Sequence, residues 1–344
     1  MVALGSAVLF GTSTPLAKVL VGTVPPLLLA GLLYVGSGLG LLLVLVGRHL
    51  WMARQSSISL PRRADWVWLA GAIFFGGLVG PVALMYGLAR SAASTASLLL
   101  NLEAVFTALL AWFIFHENFD RRVMSGMICI VAGGLMLAWT PGAYGDASFG
   151  LVLIALACLC WAIDNNLTRK VSASDAMLIA GLKGLVAGAM NIGSGLLLGQ
   201  ALPSLGVLSF AMTVGFLGYG VSLVLFVLAL RDLGAARAGA YFSVAPFFGA
   251  AVAILLQADA ITLQLAAAGL LMGTGVWLHL TEHHRHLHAH ERQEHTHAHS
   301  HDEHHRHSHD FAWDGREPHT HPHVHEPLVH THPHYPDVHH RHPH

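Results

Sequence analysis

Three ionisable residues stand where the chain is otherwise apolar: Glu103 in "LLLNLEAVF", Asp164 in "CWAIDNNL" and Lys183 in "IAGLKGLVAG". A charge in the middle of such a run costs roughly 2.5–3.5 kcal/mol on membrane-insertion scales, so it marks an ion or substrate pathway by default. Asn101 lies two residues before Glu103, Asn165 and Asn166 follow Asp164, and Asn191 lies two turns after Lys183. Glu103 carries two readings: a proton or cation site facing a central cavity, or a carboxylate bridged to Lys183 to hold helices together. Lys183 is a partner for Glu103 or Asp164, or a binding group for an anionic substrate. Lys18 falls near the end of the first apolar run, where its amine can snorkel.

The backbone supplies further candidates. Gly11-Thr12-Ser13-Thr14-Pro15 is expected to interrupt the first helix, because proline removes one hydrogen bond and neighbouring hydroxyls can satisfy the freed carbonyl. Either this is a simple kink, or Thr12, Ser13 and Pro15 line a site. Pro246 and Pro81 admit the same two readings.

The remaining chemistry is imidazole. Of 27 histidines, 24 follow Glu282, mostly as His-x-His. The candidate metal ligands are His295, His297, His299 and His301, then His319, His321, His323 and His325. His330, His332 and His334 follow, with His339, His340 and His342 last. Alternate side chains of an extended chain share a face, so two imidazoles can chelate one ion. Neutral imidazole suits Zn, Ni, Co and Cu. The segment is too polar to pack a core and is expected to be disordered when free, with many overlapping weak sites. "HEPLVHTHPHYPDVHHRH" (His325–His342) adds Leu328, Val329, Tyr335 and Val338, enough to order around a metal. No other cofactor is expected. His116 reads as an interfacial residue, and His279 stands where the tail begins. Cys129, Cys158 and Cys160 lie in apolar runs; residues two apart on a helix point to different faces, so neither a disulfide scaffold nor a metal pair is expected.

The elements that must position these groups follow from composition. Before the tail only about 8% of residues are charged, against about 25% in a soluble domain. That is a membrane composition. A spanning helix needs about 20 apolar residues. By that rule the chain holds ten spans: Val2–Val21, Pro26–Gly47, Trp66–Ala89, Ala92–Phe115, Val123–Thr140, Phe149–Leu167, Ala176–Leu198, Leu205–Leu230, Ala238–Leu256 and Ile261–Leu280. The expected fold is an all-α bundle of ten transmembrane helices with a disordered His-rich tail. No cleavable signal peptide is expected, since Met1 leads straight into apolar sequence without a basic region.

Lys and Arg set the orientation. With the N-terminus inside, cytoplasmic loops hold Arg48, Arg54, Arg62, Arg63, Arg121, Arg122, Arg169, Lys170, Arg231 and Arg237, whereas outer loops hold only Arg90. An even number of spans returns the tail to the cytoplasm.

The two halves also resemble each other. "AASTASLLLNLEAVFTALLAWFIFHENF" from Ala92 aligns with "GAARAGAYFSVAPFFGAAVAILLQADAI" from Gly234, each interrupted mid-span and closing on an acid, Glu117 or Asp259. More weakly, "LFGTSTPLAKVL" aligns with "CWAIDNNLTRKV", setting Phe10 against Trp161. Five helices is an odd number, so the second half enters from the opposite side. Secondary transporters use this inverted-repeat plan, with the site near the midplane between repeats.

With "NLEAVFTALLAWFIFHENF" (Asn101–Phe119) and this duplication, the chain resembles the EamA-type family of the drug/metabolite transporter superfamily. The family reads Glu-Pro in its fourth helix. Glu103 matches, Ala104 replaces the proline, and the second half keeps one at Pro246. The family's first-helix Trp-Gly is Phe10-Gly11 here, and the sixth-helix equivalent is Trp161. The resemblance covers roughly residues 1–281 and implies a transporter without naming its substrate.

The expected organisation is a first five-helix repeat (1–140), a second (141–281) and a cytoplasmic metal-binding tail (282–344). The expected function is secondary active transport across an inner (plasma) membrane, with a divalent transition metal or its chelate as cargo. The alternatives are a small-metabolite permease or exporter whose tail regulates or stores metal, and a metal-sensing membrane protein that transports nothing. An enzyme is not expected, as no nucleophile–base pair or phosphate loop appears, and without a Walker sequence the energy should come from an ion gradient. Expected partners are the bilayer, the small-molecule or metal-ion substrate and a second copy in a homodimer, with no nucleic acid.

Overall fold

Apolar runs of this length satisfy every backbone donor and acceptor internally by becoming helices, which lipid demands. In the computed structural model the described residues are 1–51, 62–115, 121–139, 146–168, 171, 175–229 and 241–281, with 285–290, 293–299, 319–325 and 328–333 in the tail. The expectations placed on Arg54, His116, Glu117, Arg169, Lys170, Arg231, Arg237, His301, His334, His339, His340 and His342 lie outside these residues. The chain forms two units, Met1–Glu282 and His283–His344.

Among the described residues, nine helices of the first unit are long and apolar enough to cross a membrane, and a tenth apolar helix is shorter. In chain order they are Val2–Val21, Pro26–Arg48, Trp66–Arg90, Ala93–Leu110, Arg121–Ala138, Ser148–Thr168, Met177–Leu197, Leu205–Ala229, the short Ala245–Gln257, and Leu263–Leu280. They are called spans 1 to 10 below. Leu28, Leu29, Leu33, Leu84, Leu88, Ile154 and Met272 pack into one buried cluster, while Leu43, Leu135, Leu255 and Leu263 face outward. Outward leucine is what a lipid-facing surface requires.

The packing partners show the duplication. Span 2 lies along span 7 and span 5 along span 10, each a helix against its counterpart in the other half. Span 1 packs on span 9, and the inverted equivalent pair, spans 6 and 4, packs likewise. Lipid tails are as apolar as leucine, so helices associate by close van der Waals fit between small residues. At the crossing of spans 2 and 7, a Cβ on Gly38 would sit 2.9 Å from Gly181 O, and one on Gly184 would sit 2.8 Å from Gly38 N. Any side chain there would push the repeats apart.

Irregular turns also recur in pairs. Span 4 consists of two helices, Ala93–Leu99 and Leu102–Phe115, broken at Leu100–Asn101. In span 9 the matching turn is Ser243–Val244, just before Ala245. Spans 3 and 8 each contain π-helical turns, Ile73–Val79 and Phe216–Val221. The mid-span interruptions expected in spans 4 and 9 are present, but the one expected in span 1 is not: Val2–Val21 is one continuous helix with Pro15 inside. The hydroxyls of Thr12 and Ser13 turn back on their own helix, onto Val8 O at 2.7 Å and Phe10 O at 2.6 Å, and the turn survives the proline.

The described stretches of the tail are four strands: β1 (Arg285–His290), β2 (Gln293–His299), β3 (His319–His325) and β4 (Leu328–Pro333). β1 pairs antiparallel with β4, and β2 with β3. Strict alternation of His with other residues is the period of a strand.

Candidate functional site

Pro81 organises the centre of the first unit. Gly80 N–H bonds to Phe75 O in the π register, and Pro81 has no N–H to offer. Neither donor therefore reaches Gly76 O, and Gly77 O loses the partner that an α-helix would supply at residue 81. Side chains from three other spans fill both vacancies. Tyr34 Oη (span 2) donates to Gly76 O at 2.7 Å, Trp161 Nε1 (span 6) donates to the same oxygen at 3.1 Å, and Asn191 Nδ2 (span 7) donates to Gly77 O at 3.0 Å. One imino acid thus ties spans 2, 6 and 7 to span 3.

Trp161 anchors span 6, so the next helical turn is positioned. Three consecutive residues, rotated about 100° apart on a 3.6-residue helix, point to different neighbours. Asp164 accepts from Lys183 Nζ in span 7 at 2.5 and 2.6 Å and from Thr168 Oγ1 at 2.8 Å. Its carboxylate lies where a side chain on Gly76 would be, so that glycine makes the room. Asn165 Nδ2 donates to Glu103 Oε1 in span 4 at 2.8 Å and lies 3.5 Å from Thr107 Oγ1. Asn166 Nδ2 donates to Ala162 O at 2.9 Å and reaches Thr107 O at 3.4 Å.

Glu103 owes its position to the break in span 4. It stands in the first turn of Leu102–Phe115, where unpaired N–H groups make the helix end electropositive and favour an acid. Asn101 supports the break, donating Nδ2 to Leu98 O at 2.9 Å, while Cys158 Sγ contacts Leu99 O at 3.6 Å. An aromatic surface lies nearby in the fold: Tyr34 and Tyr219 at 5.8 Å between ring centres, Phe10 and Tyr219 at 6.0 Å, and Phe10 and Phe242 at 5.3 Å.

Of the residues singled out from sequence, Glu103, Asp164, Asn165 and Lys183 come together. The bridge from Glu103 to Lys183 does not form, because Lys183 is committed to Asp164. Asn101, Thr12 and Ser13 spend their side chains on their own helices. Pro246 sits at the start of the Ala245–Gln257 half-helix, where a missing N–H costs nothing. Lys18 donates to Leu88 O at 2.5 Å, and Pro15 O accepts from Gln257 Nε2 at 2.8 Å. His279 belongs to span 10 rather than the tail, with Nε2 3.0 Å from Val123 O. Tyr34, Thr107 and Thr168 were missed. For Tyr34 the signal was the "GGLVGP" run (Gly76–Pro81), which frees an acceptor for another span to fill.

This arrangement defines a multi-pass membrane protein built of two inverted five-helix halves, with a polar cluster between them. The chain belongs to the EamA-like transporter family, whose model matches residues 1–139 and 148–281. It is 28% identical over 287 residues to a protein of Methanothermobacter thermautotrophicus described as an uncharacterized transporter, covering 79% of this chain and 83% of that one. A shorter similarity, 35% over 88 residues, covers 26% of this chain and 75% of a Pseudomonas fluorescens protein. That protein is described as a "Probable 4-amino-4-deoxy-L-arabinose-phosphoundecaprenol flippase subunit ArnE". A crystal structure titled only as that of a protein shares the fold, at a TM-score of 0.57 and 20% identity over 80% of this chain and 94% of the other.

Proposed function

We propose that the chain is a secondary active transporter of an inner membrane, with both termini cytoplasmic and its substrate or coupling ion bound at Glu103 between the repeats. The observation that carries this reading is the partnering of Glu103. Its carboxylate faces a neutral amide, Asn165, while Lys183 is neutralised by Asp164. A carboxylate in a span that is not used to cancel a buried cation is free to exchange a proton or a cation. The two asparagines and Thr107 around it offer amide and hydroxyl groups suited to orienting an organic solute.

Among the described residues of spans 1 to 10 no three His, Cys, Asp or Glu side chains converge as ligands of a bare metal ion. The cargo that best suits this donor set is a metal chelate or small metabolite. The alternation of His in the tail supports a metal-linked cargo, with Zn, Ni, Co or Cu held on the tail for buffering or delivery. A metabolite permease whose tail only regulates or stores metal is the second reading. Transport rather than catalysis is the proposal in either case, and a homodimer is its proposed assembly.

The test is the Ni, Co and Zn content of cells that express the full chain, Glu103→Gln, or a chain ending at Thr281. The metal-cargo reading expects altered content with the full chain and no alteration with Glu103→Gln. Identical content in all three, together with a metal-free full chain, overturns it.

A further inference from the structure

The strand register does something to the tail that composition does not. In β2 and β3, His295 lies opposite His323, His297 opposite His321, and His299 opposite His319. In β1 and β4, His286 lies opposite His332 and His288 opposite His330. Residues directly opposite in an antiparallel pair share a face, as do residues two apart along a strand. Every histidine of each described ribbon therefore falls on one face. Leu287, Ala289, Val329 and Thr331 fall on the other face of β1/β4. A slip of one residue would set each of these histidines against a different residue type and mix the faces. Both ribbons also keep one register: Arg285 lies opposite Pro333, and Gln293 opposite His325.

We propose that these rungs of opposed histidines are two defined binding sites for a divalent transition metal, one on β1/β4 and one on β2/β3. The proposal rests on reading the tail as metal-binding and replaces a graded series of weak sites with two tight ones. Opposed residues are about 5 Å apart and successive rungs about 7 Å apart, so two rungs confine four imidazole-bearing positions to a small patch. A purely imidazole donor set selects Zn, Ni, Co or Cu over the oxygen-seeking Mg and Ca. A lone two-stranded ribbon is at best marginally stable in water, so ligation and strand pairing are coupled and each stabilises the other. β1/β4 has two rungs and holds one four-histidine site. β2/β3 has three, and its middle rung is shared by either choice of four.

Ni(II) titration of the full chain in detergent at pH 7.5, in competition with a chelator, tests this. The parent should bind two tight equivalents above any weaker ones. Removing the middle rung, His297→Ala with His321→Ala, should weaken one equivalent by at least tenfold. Removing as many histidines elsewhere, His304→Ala with His305→Ala, should leave both. Equal effects of the two pairs overturn the register proposal while leaving a metal-binding tail; a full chain that binds no Ni(II) overturns both. Register is checked separately with Ala289→Cys and Val329→Cys, which are opposite each other and should form a disulfide more readily with Ni(II) present. No metal-dependent disulfide at that pair would count against the register.

Discussion

Asn165 in span 6 donates its side-chain amide to Glu103 in span 4 across 2.8 Å, joining the second repeat to the acid of the first. The contact explains how an isolated carboxylate is held without a counter-charge. It also gives Glu103 a clean test.

Glu103→Gln keeps an oxygen that can accept from Asn165, so the variant should insert and unfold at a temperature close to the parent's. Transport should fall by more than tenfold, about 1.4 kcal/mol, and lose its dependence on pH. Retained transport with the parent's pH profile would show that the carboxylate is structural.

Asp164 and Lys183 should behave in the opposite way. Their side chains are only 11% and 16% exposed, so removing one partner strands a buried charge. Asp164→Asn should destabilise the protein by about 3–5 kcal/mol, and Asp164→Asn with Lys183→Met should recover most of that loss. Thermal unfolding in detergent reads both. A double variant no more stable than the single would contradict a simple ion pair.

At Gly76 O two donors share one carbonyl. Trp161→Phe or Tyr34→Phe alone removes one of them and should cost about 0.5–1.5 kcal/mol. Together they leave a buried carbonyl unpaired, so the double variant should lose more than the sum of the singles. Strict additivity in the same unfolding assay would mean the two bonds are independent.

The proposed orientation, read from loop charge, has both chain ends on the cytoplasmic side. Reporter fusions at Tyr144 and after His344 should therefore report opposite sides of the membrane. Reporters on the same side would remove one span from the count or invert half of the bundle.

Metal on the tail should follow imidazole protonation. Neutral imidazole is the ligand and its reference pKa is about 6.5, so protons compete increasingly as pH falls. Ni(II) bound by the full chain at pH 7.5 should be released on titration towards pH 5 and rebind on return. Retention at pH 5 would point to carboxylate rather than imidazole ligands.

Much of this protein was legible as sequence because lipid imposes local rules. Ten apolar runs, the loop charges and the odd-numbered repeat all follow from groups that each segment must satisfy by itself. The three ionisable residues announced themselves by contrast with their runs, and Glu103, Asp164, Asn165 and Lys183 do meet. Other expectations turned on what lies outside the local chain. Pro15 looked like a helix breaker, yet Val2–Val21 runs through it as one helix. Lys183 had two candidate partners, Glu103 and Asp164, and span 7 brings it onto Asp164.

What the sequence determined by itself is which segments are helices, that they come in two halves, and that imidazole dominates the tail. These are set by composition and period within single segments. Only the tertiary structure decided which carboxylate is neutralised, which carbonyls Pro81 frees and which side chains fill them, and which histidines lie opposite one another. Pairing is a property of distance between segments remote in the chain. In a bundle where every span is greasy, apolar residues make almost any helix contact acceptable, and the few polar atoms that must find partners single out one arrangement.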